Sequence, residues 1–158
     1  MKLTNHEEYG LRCLLRLAEQ GDGASLTIPQ LSEAEGVSEA YAGKLLRMLR
    51  QGGFVKASRG KVGGYTLARP AGRITVGEVM NVLGGPLIEG DFCESHSGQM
   101  GTCVRSVDCS LRAFWLGVQQ VVDRMLGGTT LESLLRNERA MTVWVKELGE
   151  FSTRALPS

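Results

Sequence analysis

The sequence predicts a mainly α fold with a small β-hairpin wing, followed by one long separate helix. Three observations predict it. Apolar residues recur at helical spacing in several segments, each opened by Thr or Ser and closed by Gly. Two short alternating runs flank a glycine-rich tip at 59–64. Past these, the stretch 111–126 holds a helical apolar repeat without interruption.

A first helix is predicted over 5–19. Thr4-x-x-Glu7 fits a capping box, in which each side chain satisfies the other residue's free backbone N–H. Leu11, Leu14, Leu15 and Ala18 follow at helical spacing, and Gly21 and Gly23 end the run. Cys13 falls beside this apolar face and reads as a small buried hydrophobe. Thr27-Ile28-Pro29-Gln30 opens a second helix by the same box, with Pro29 in the first turn, where its missing N–H does no harm. Leu31 and Ala34 are expected to point inward, and Gly36 to stop the helix. Ser38 then caps a third helix over 39–50. Its buried stripe is expected at Tyr41, Leu45, Leu46 and Leu49, with Ser38, Ala42, Lys44 and Arg47 on other faces. Two short helices joined through Gly36-Val37-Ser38 form a helix-turn-helix, whose second helix fits the width of a DNA major groove.

Gly52-Gly53 closes the third helix. The stretch 54–58 alternates as a strand and 65–68 as its partner, with Arg59-Gly60-Lys61-Val62-Gly63-Gly64 as a basic hairpin tip. Three helices followed by a basic hairpin make a winged helix-turn-helix, whose tip can follow a phosphate backbone or enter a minor groove. The glycines do not make a nucleotide-phosphate loop, because no Gly-Lys-Ser/Thr ending and no βαβ context accompany them. Thr75-x-x-Glu78 opens a short helix with Val76, Val79, Met80 and Leu83 inward, broken by Gly84-Gly85-Pro86.

After Cys109, the residues Leu111, Phe114, Trp115, Val118, Val121, Val122, Met125 and Leu126 keep helical spacing up to Gly127-Gly128. A winged helix does not need such a helix for its own core, so it is read as a dimerisation helix. The competing reading folds it back on its own domain. Thr129-x-x-Glu132 is expected to start a further short helix with Leu131, Leu134 and Leu135. A tail with Met141, Val143, Trp144, Leu148 and Phe151 reads as a last docked helix. The expected organisation is a winged helix-turn-helix DNA-binding domain at 1–86, a cysteine loop at 87–110, and a dimerisation helix with its tail at 111–158.

Charge separates the two halves. Residues 1–75 hold eleven Lys+Arg against seven Asp+Glu, and residues 76–158 hold seven against ten. No acidic residue lies between Glu39 and Glu78, an interval holding Lys44, Arg47, Arg50, Lys56, Arg59, Lys61, Arg69 and Arg73. A one-sign block inside a folded pattern points to an anionic partner, against the bland reading of a solvated basic face. No apolar run approaches the ~18–20 residues of a membrane helix, and residues 1–8 carry no apolar signal segment, so a cytoplasmic chain is expected. No Ser/His/Asp or Cys/His set is evident and the chain has only two histidines, so an enzyme is not expected.

In a reducing compartment, clustered cysteines point to metal or redox chemistry rather than disulfides. Cys93-x9-Cys103-x5-Cys109 places three of the four cysteines in one glycine-containing loop. Thiolates bind iron and zinc, but classical zinc sites use closer Cys-x2–4-Cys pairs, and iron–sulfur clusters want four protein ligands. The loop is one ligand short, with His96, Asp108, a residue of the first helix, or none as the open choices.

The chain resembles the IscR/NsrR-type winged-helix transcription regulators, many of which carry iron–sulfur clusters. The resemblance runs from Met1 to about Asn137. It rests on Met1-Lys2-Leu3-Thr4, Ser38-Glu39-Ala40-Tyr41 with Leu45 and Leu49, Arg59-Gly60-x-x-Gly63-Gly64-Tyr65, Thr75-Val76-Gly77-Glu78-Val79, the three cysteines, Leu111-Arg112-Ala113-Phe114-Trp115, and Thr130-Leu131-x-x-Leu134. It implies a homodimer on a partly palindromic promoter site and a [2Fe-2S] or [4Fe-4S] cluster held by Cys93, Cys103 and Cys109. The gap between the first two cysteines is longer than is usual. Arg112 stands where IscR-like members place a histidine, which speaks against a histidine-ligated two-iron cluster. NsrR-like members use an acid early in the first helix, which matches Glu8. Glu8 is therefore preferred as fourth ligand over Glu7, His6 and His96, against the bland reading of a first-turn acid favoured by the helix dipole.

The expected function is a cluster-dependent transcription regulator, most simply a repressor, sensing iron or cluster supply, redox state or nitric oxide. Ser38, Ala40, Tyr41 and Lys44 are the candidate groove or phosphate contacts, with Arg50, Arg59 and Lys61 on the backbone or minor groove. The alternatives are a zinc-bound or apo thiol-based redox regulator, and a winged-helix protein-interaction module.

Overall fold

The computed structural model describes residues 3–21, 23–58, 63–85, 97–101, 103, 105 and 107–153. Helix α1 (Asn5–Glu19) begins as expected: the Glu7 amide donates to Thr4 Oγ1 and the Thr4 amide donates to Glu7 Oε2 at 2.6 Å. Cys13, Leu14 and Leu17 form its buried face. Helix α2 (Ile28–Glu35) carries the Thr27/Gln30 box and ends on Gly36 in the left-handed region at φ 65°, where glycine has no Cβ to clash. Only Leu31 of α2 is buried; Ala34, expected inward, is exposed.

Helix α3 (Glu39–Gln51) is capped by Ser38, whose hydroxyl accepts from the Tyr41 amide at 3.2 Å. Its buried stripe is Ala42, Leu45, Leu46 and Leu49, an i, i+3, i+4, i+7 set one residue out of phase with a stripe started at Tyr41. Ala42 therefore belongs to the core and not to an outer face. Tyr41 lies at the edge of that stripe, edge-on to the rings of His6 (centroids 5.6 Å) and Tyr9 (6.1 Å).

The wing pairs β1 (Val55–Ser58) antiparallel with β2 (Gly64–Leu67), in the register Val55↔Leu67 through Ser58↔Gly64. Leu26 adds a third rung by exchanging both backbone hydrogen bonds with Tyr65. That rung requires glycine at 64, because a Cβ there would sit 2.7 Å from the Leu26 carbonyl oxygen. The tip at 59–62, with Arg59 and Lys61, lies outside the described residues.

A 3-10 turn at Ala71–Arg73 leads to α4 (Val76–Leu83), opened by the Thr75/Glu78 box. A second 3-10 turn, Gly98–Met100, precedes α5 (Ser110–Gly128), a 19-residue helix with no buried residue. Its C-terminal end is fastened to the head of α4: the Val76 amide donates to the Thr129 carbonyl at 2.8 Å, Thr75 bridges Thr130, and the Leu131 amide donates to the Ile74 carbonyl at 2.9 Å. Helix α6 (Leu131–Leu134) is capped by Thr130 through Ser133, not by Thr129 and Glu132. Thr129 instead closes α5, its hydroxyl donating to the Met125 carbonyl. Leu131 is fully buried in the same core as Leu14, Leu45, Phe54 and Val79. Helix α7 (Glu138–Thr153) follows, with Met141 and Trp144 half-buried and Val143 and Val145 exposed. Among the described residues, no helix is long and apolar enough to cross a membrane.

Candidate functional site

Two features stand apart from this scaffold: a cationic face on α3 and the thiols at the head of α5. On α3, Ala40, Lys44, Arg47 and Arg50 are exposed and border a groove of about 340 Å³, closed on its other sides by Ile28, Glu39, Gly43 and Tyr65. Among the described residues, Lys44, Arg47 and Arg50 pair with no carboxylate. Three arginines elsewhere do pair. Arg12 holds Glu8 at 2.8 Å, Arg16 bridges Glu19 and Glu35, and Arg69 binds Glu78 at 2.9 Å while lying over the Phe54 ring. The Arg69 contact and the Thr75 amide hold the Glu78 carboxyl below its ordinary range, the amide being the larger cause. Folding thus neutralises the cations that brace the scaffold and leaves those on the outer face of α3 free for an anion.

The candidate contacts divide accordingly. Ser38 is exposed but its hydroxyl is engaged as the cap of α3. Tyr41 turns inward, and its hydroxyl is buried with no hydrogen-bond partner among the described residues. Arg47 was not among the expected contacts, yet it lies one turn from Lys44 on the open face. The i, i+3 spacing within the acid-free interval was the signal that could have found it.

At the other feature, Cys109 is the N-cap of α5, its Sγ accepting from the Arg112 amide at 3.4 Å. Cys103 and Cys109 are both half-buried free thiols. Cys93 and His96 lie outside the described residues, and among those described no three His, Cys, Asp or Glu side chains converge on one point. Cys13 is a different kind of thiol. It is fully buried in α1, and desolvation, with a smaller push from the Glu35 charge, raises its pKa to about 12.

The acids at the start of α1 also divide. Glu7 is buried against Gly84 and committed to its capping box, on the wall of a cavity of about 760 Å³ between α1, α4 and α5. Glu8 is half-exposed and, among the described residues, held by its surface pair with Arg12. His6 is engaged with Tyr41, and Asp108 is exposed.

Comparison with known proteins agrees with this architecture. The family model described as Rrf2, iron-dependent transcriptional regulator, matches residues 3–137. The HTH-type transcriptional regulator IscR of Xenorhabdus nematophila is 30% identical over 143 residues, covering 90% of this chain and 84% of that relative. Among solved structures, CymR of B. subtilis, described as the global cysteine regulator, superposes with a TM-score of 0.71 at 27% identity, over 85% of this chain and 96% of that one. T. potens IscR does so with a TM-score of 0.67 at 29% identity, over 85% and 86%. These relatives are named as regulators of transcription, a non-enzymatic role. The chain belongs to the Rrf2 family of winged-helix transcriptional regulators.

Proposed function

We propose that the chain is a homodimeric repressor whose grip on promoter DNA depends on an iron–sulfur cluster held by Cys93, Cys103, Cys109 and Glu8. The observation that carries this reading is Cys109 as the cap of α5, with a backbone N–H aimed at its sulfur and a second half-exposed thiol, Cys103, in the loop before it. The donor set fits a soft iron centre: thiolates are its preferred ligands, and N–H groups directed at the sulfurs tune such centres. Of the acids and histidines on α1, Glu8 is the donor with least to give up, because Glu7 caps the helix from a buried position and His6 packs on Tyr41. When bound, the cluster would supply an iron centre whose loading iron supply, redox state or nitric oxide each alter.

The chain's own residues then define the output. α1 carries Glu8 on one turn and Tyr9, which meets Tyr41 of α3, on the next position. A ligand drawn from α1 thus acts on the helix against which the DNA-reading helix is packed. Ala40, Lys44 and Arg50, with Arg59 and Lys61 of the wing tip, make the DNA contacts, and the chain divides functionally at 1–86, 87–110 and 111–158.

Anaerobic purification tests the reading. The expected product is brown, with iron and acid-labile sulfide in stoichiometric amounts, both lost in Cys103→Ala and Cys109→Ala. A colourless wild-type protein would instead support regulation by the thiols themselves. That second reading draws on the half-exposed Cys103 and Cys109 and on the likeness to a cysteine regulator.

A further inference from the structure

Among the helical glycines, packing explains those at 10 and 77, while Gly43 on α3, like Gly117, Gly127 and Gly128 on the exposed α5, has no packing reason. At Gly10 a Cβ would run into the Leu83 side chain, which crosses from α4. At Gly77 it would press on the backbone of Gly127 and Leu126, at 3.2 and 3.3 Å, where α5 meets α4. Gly43 has no such reason. It lies mid-helix in α3, and a Cβ there would meet only Ile28 Cδ1, at the ordinary contact distance of 3.7 Å. Glycine in a helix interior forfeits more chain entropy on folding than alanine does, so alanine at 43 would strengthen the helix without disturbing a neighbour. The fold carries a local weakness that brings it no packing.

The position of Gly43 supplies a reason. It floors the groove bordered by Lys44, Arg47 and Arg50, which among the described residues pair with no carboxylate. A helix entering a major groove has its backbone brought close to base edges on one face, and there a methyl group sets the depth of entry. We propose that Gly43 sets how deeply α3 seats in the major groove, and that Arg47, one turn on, reads a guanine edge from that depth. The guanidinium fork matches the O6 and N7 acceptors of guanine, and a shallower helix would lose that pairing before it lost its phosphate contacts.

The test uses the full chain purified anaerobically. The duplex that wild-type protein enriches from a randomised pool serves as specific probe, and poly(dI-dC) as non-specific probe. Gly43→Ala is expected to raise Tm by about 2–4 °C. It should weaken binding to the enriched duplex about tenfold or more, leaving poly(dI-dC) binding unchanged. Arg47→Ala, put through the same selection, is expected to lose a guanine preference at one position of the site. A Gly43→Ala protein that binds the enriched duplex as tightly as wild type overturns the inference. So does a lowered Tm, since the fold would then need the glycine, and so does a wild-type protein that enriches no sequence. A merely structural glycine would change stability without changing the ratio of specific to non-specific affinity.

Discussion

At the scale of single residues, environment separates groups that sequence treats alike. Glu7 and Glu8 are adjacent acids in the first turn of α1, yet one is a buried cap and the other a half-exposed partner of Arg12. Exposed pairs of this kind contribute little, so Arg12 is a weak competitor for Glu8. If Glu8 is the fourth ligand, Glu8→Ala should speed cluster loss in air and shift the visible spectrum. Arg12→Ala should slow the loss by up to about fivefold by freeing the carboxylate. Spectra followed over time after exposure to air would decide, and equal rates in all three proteins would remove Glu8 from the ligand set. Cys13 makes a separate statement, about stability. Its folded pKa of about 12 lies above its ordinary value near 9, so its contribution is complete below pH 9 and lost as pH rises toward 12. Between pH 8 and pH 10, wild type should lose about 1 kcal/mol more stability than Cys13→Ala, measured by urea unfolding at both values.

At the scale of elements, legibility tracked how local the determining interaction was. Thr4/Glu7, Thr27/Gln30 and Thr75/Glu78 each close a box within four residues, and all three open helices at the expected positions. Phase was harder. Tyr41 is large and apolar enough to anchor a stripe by eye, but the core took Ala42 and left Tyr41 at the edge, because a small residue completes the 42, 45, 46, 49 set. Ala34 failed for the opposite reason: α2 is eight residues long and buries only Leu31, and the position one turn on stays exposed. Thr129-Thr130-Leu131-Glu132 offers two overlapping caps, and local chemistry cannot choose between them. The choice is made by a distant strand-like bridge, Thr75 to Thr130, which occupies the Thr129 carbonyl with the Val76 amide. At the candidate site, the residue types of the thiols and basic face were readable. Which cations would stay unpaired was not, since that depends on carboxylates as far off in sequence as Glu35 from Arg16.

At the scale of the whole molecule, α5 is fixed at one end and bare along one face. The bridge to α4 and the buried Leu131 hold its C-terminal end to the DNA-binding unit. Leu111, Phe114 and Val121 are 59%, 60% and 52% exposed, and Met125 adds to the same uncovered apolar face. Exposed apolar area of this extent suits the proposed homodimer, with a second copy of α5 as its simplest complement. A rigid link from that surface to α3 would then set the spacing of two reading helices, which on DNA must be about 34 Å or a multiple of it. Because α5 buries no residue of its own, charge introduced on its bare face should break the dimer and spare the fold. Phe114→Glu with Val121→Glu is expected to sediment as a monomer at concentrations where wild type is a dimer, with Tm little changed. Each monomer would neutralise half as many phosphates, so the slope of log affinity against log salt should fall to about half its wild-type value on the same promoter duplex. If the double variant sediments as a dimer, the contact lies elsewhere. If it is a monomer with an unchanged salt slope, one copy alone makes all the phosphate contacts, and the link from α5 to α3 has no part in spacing two reading helices.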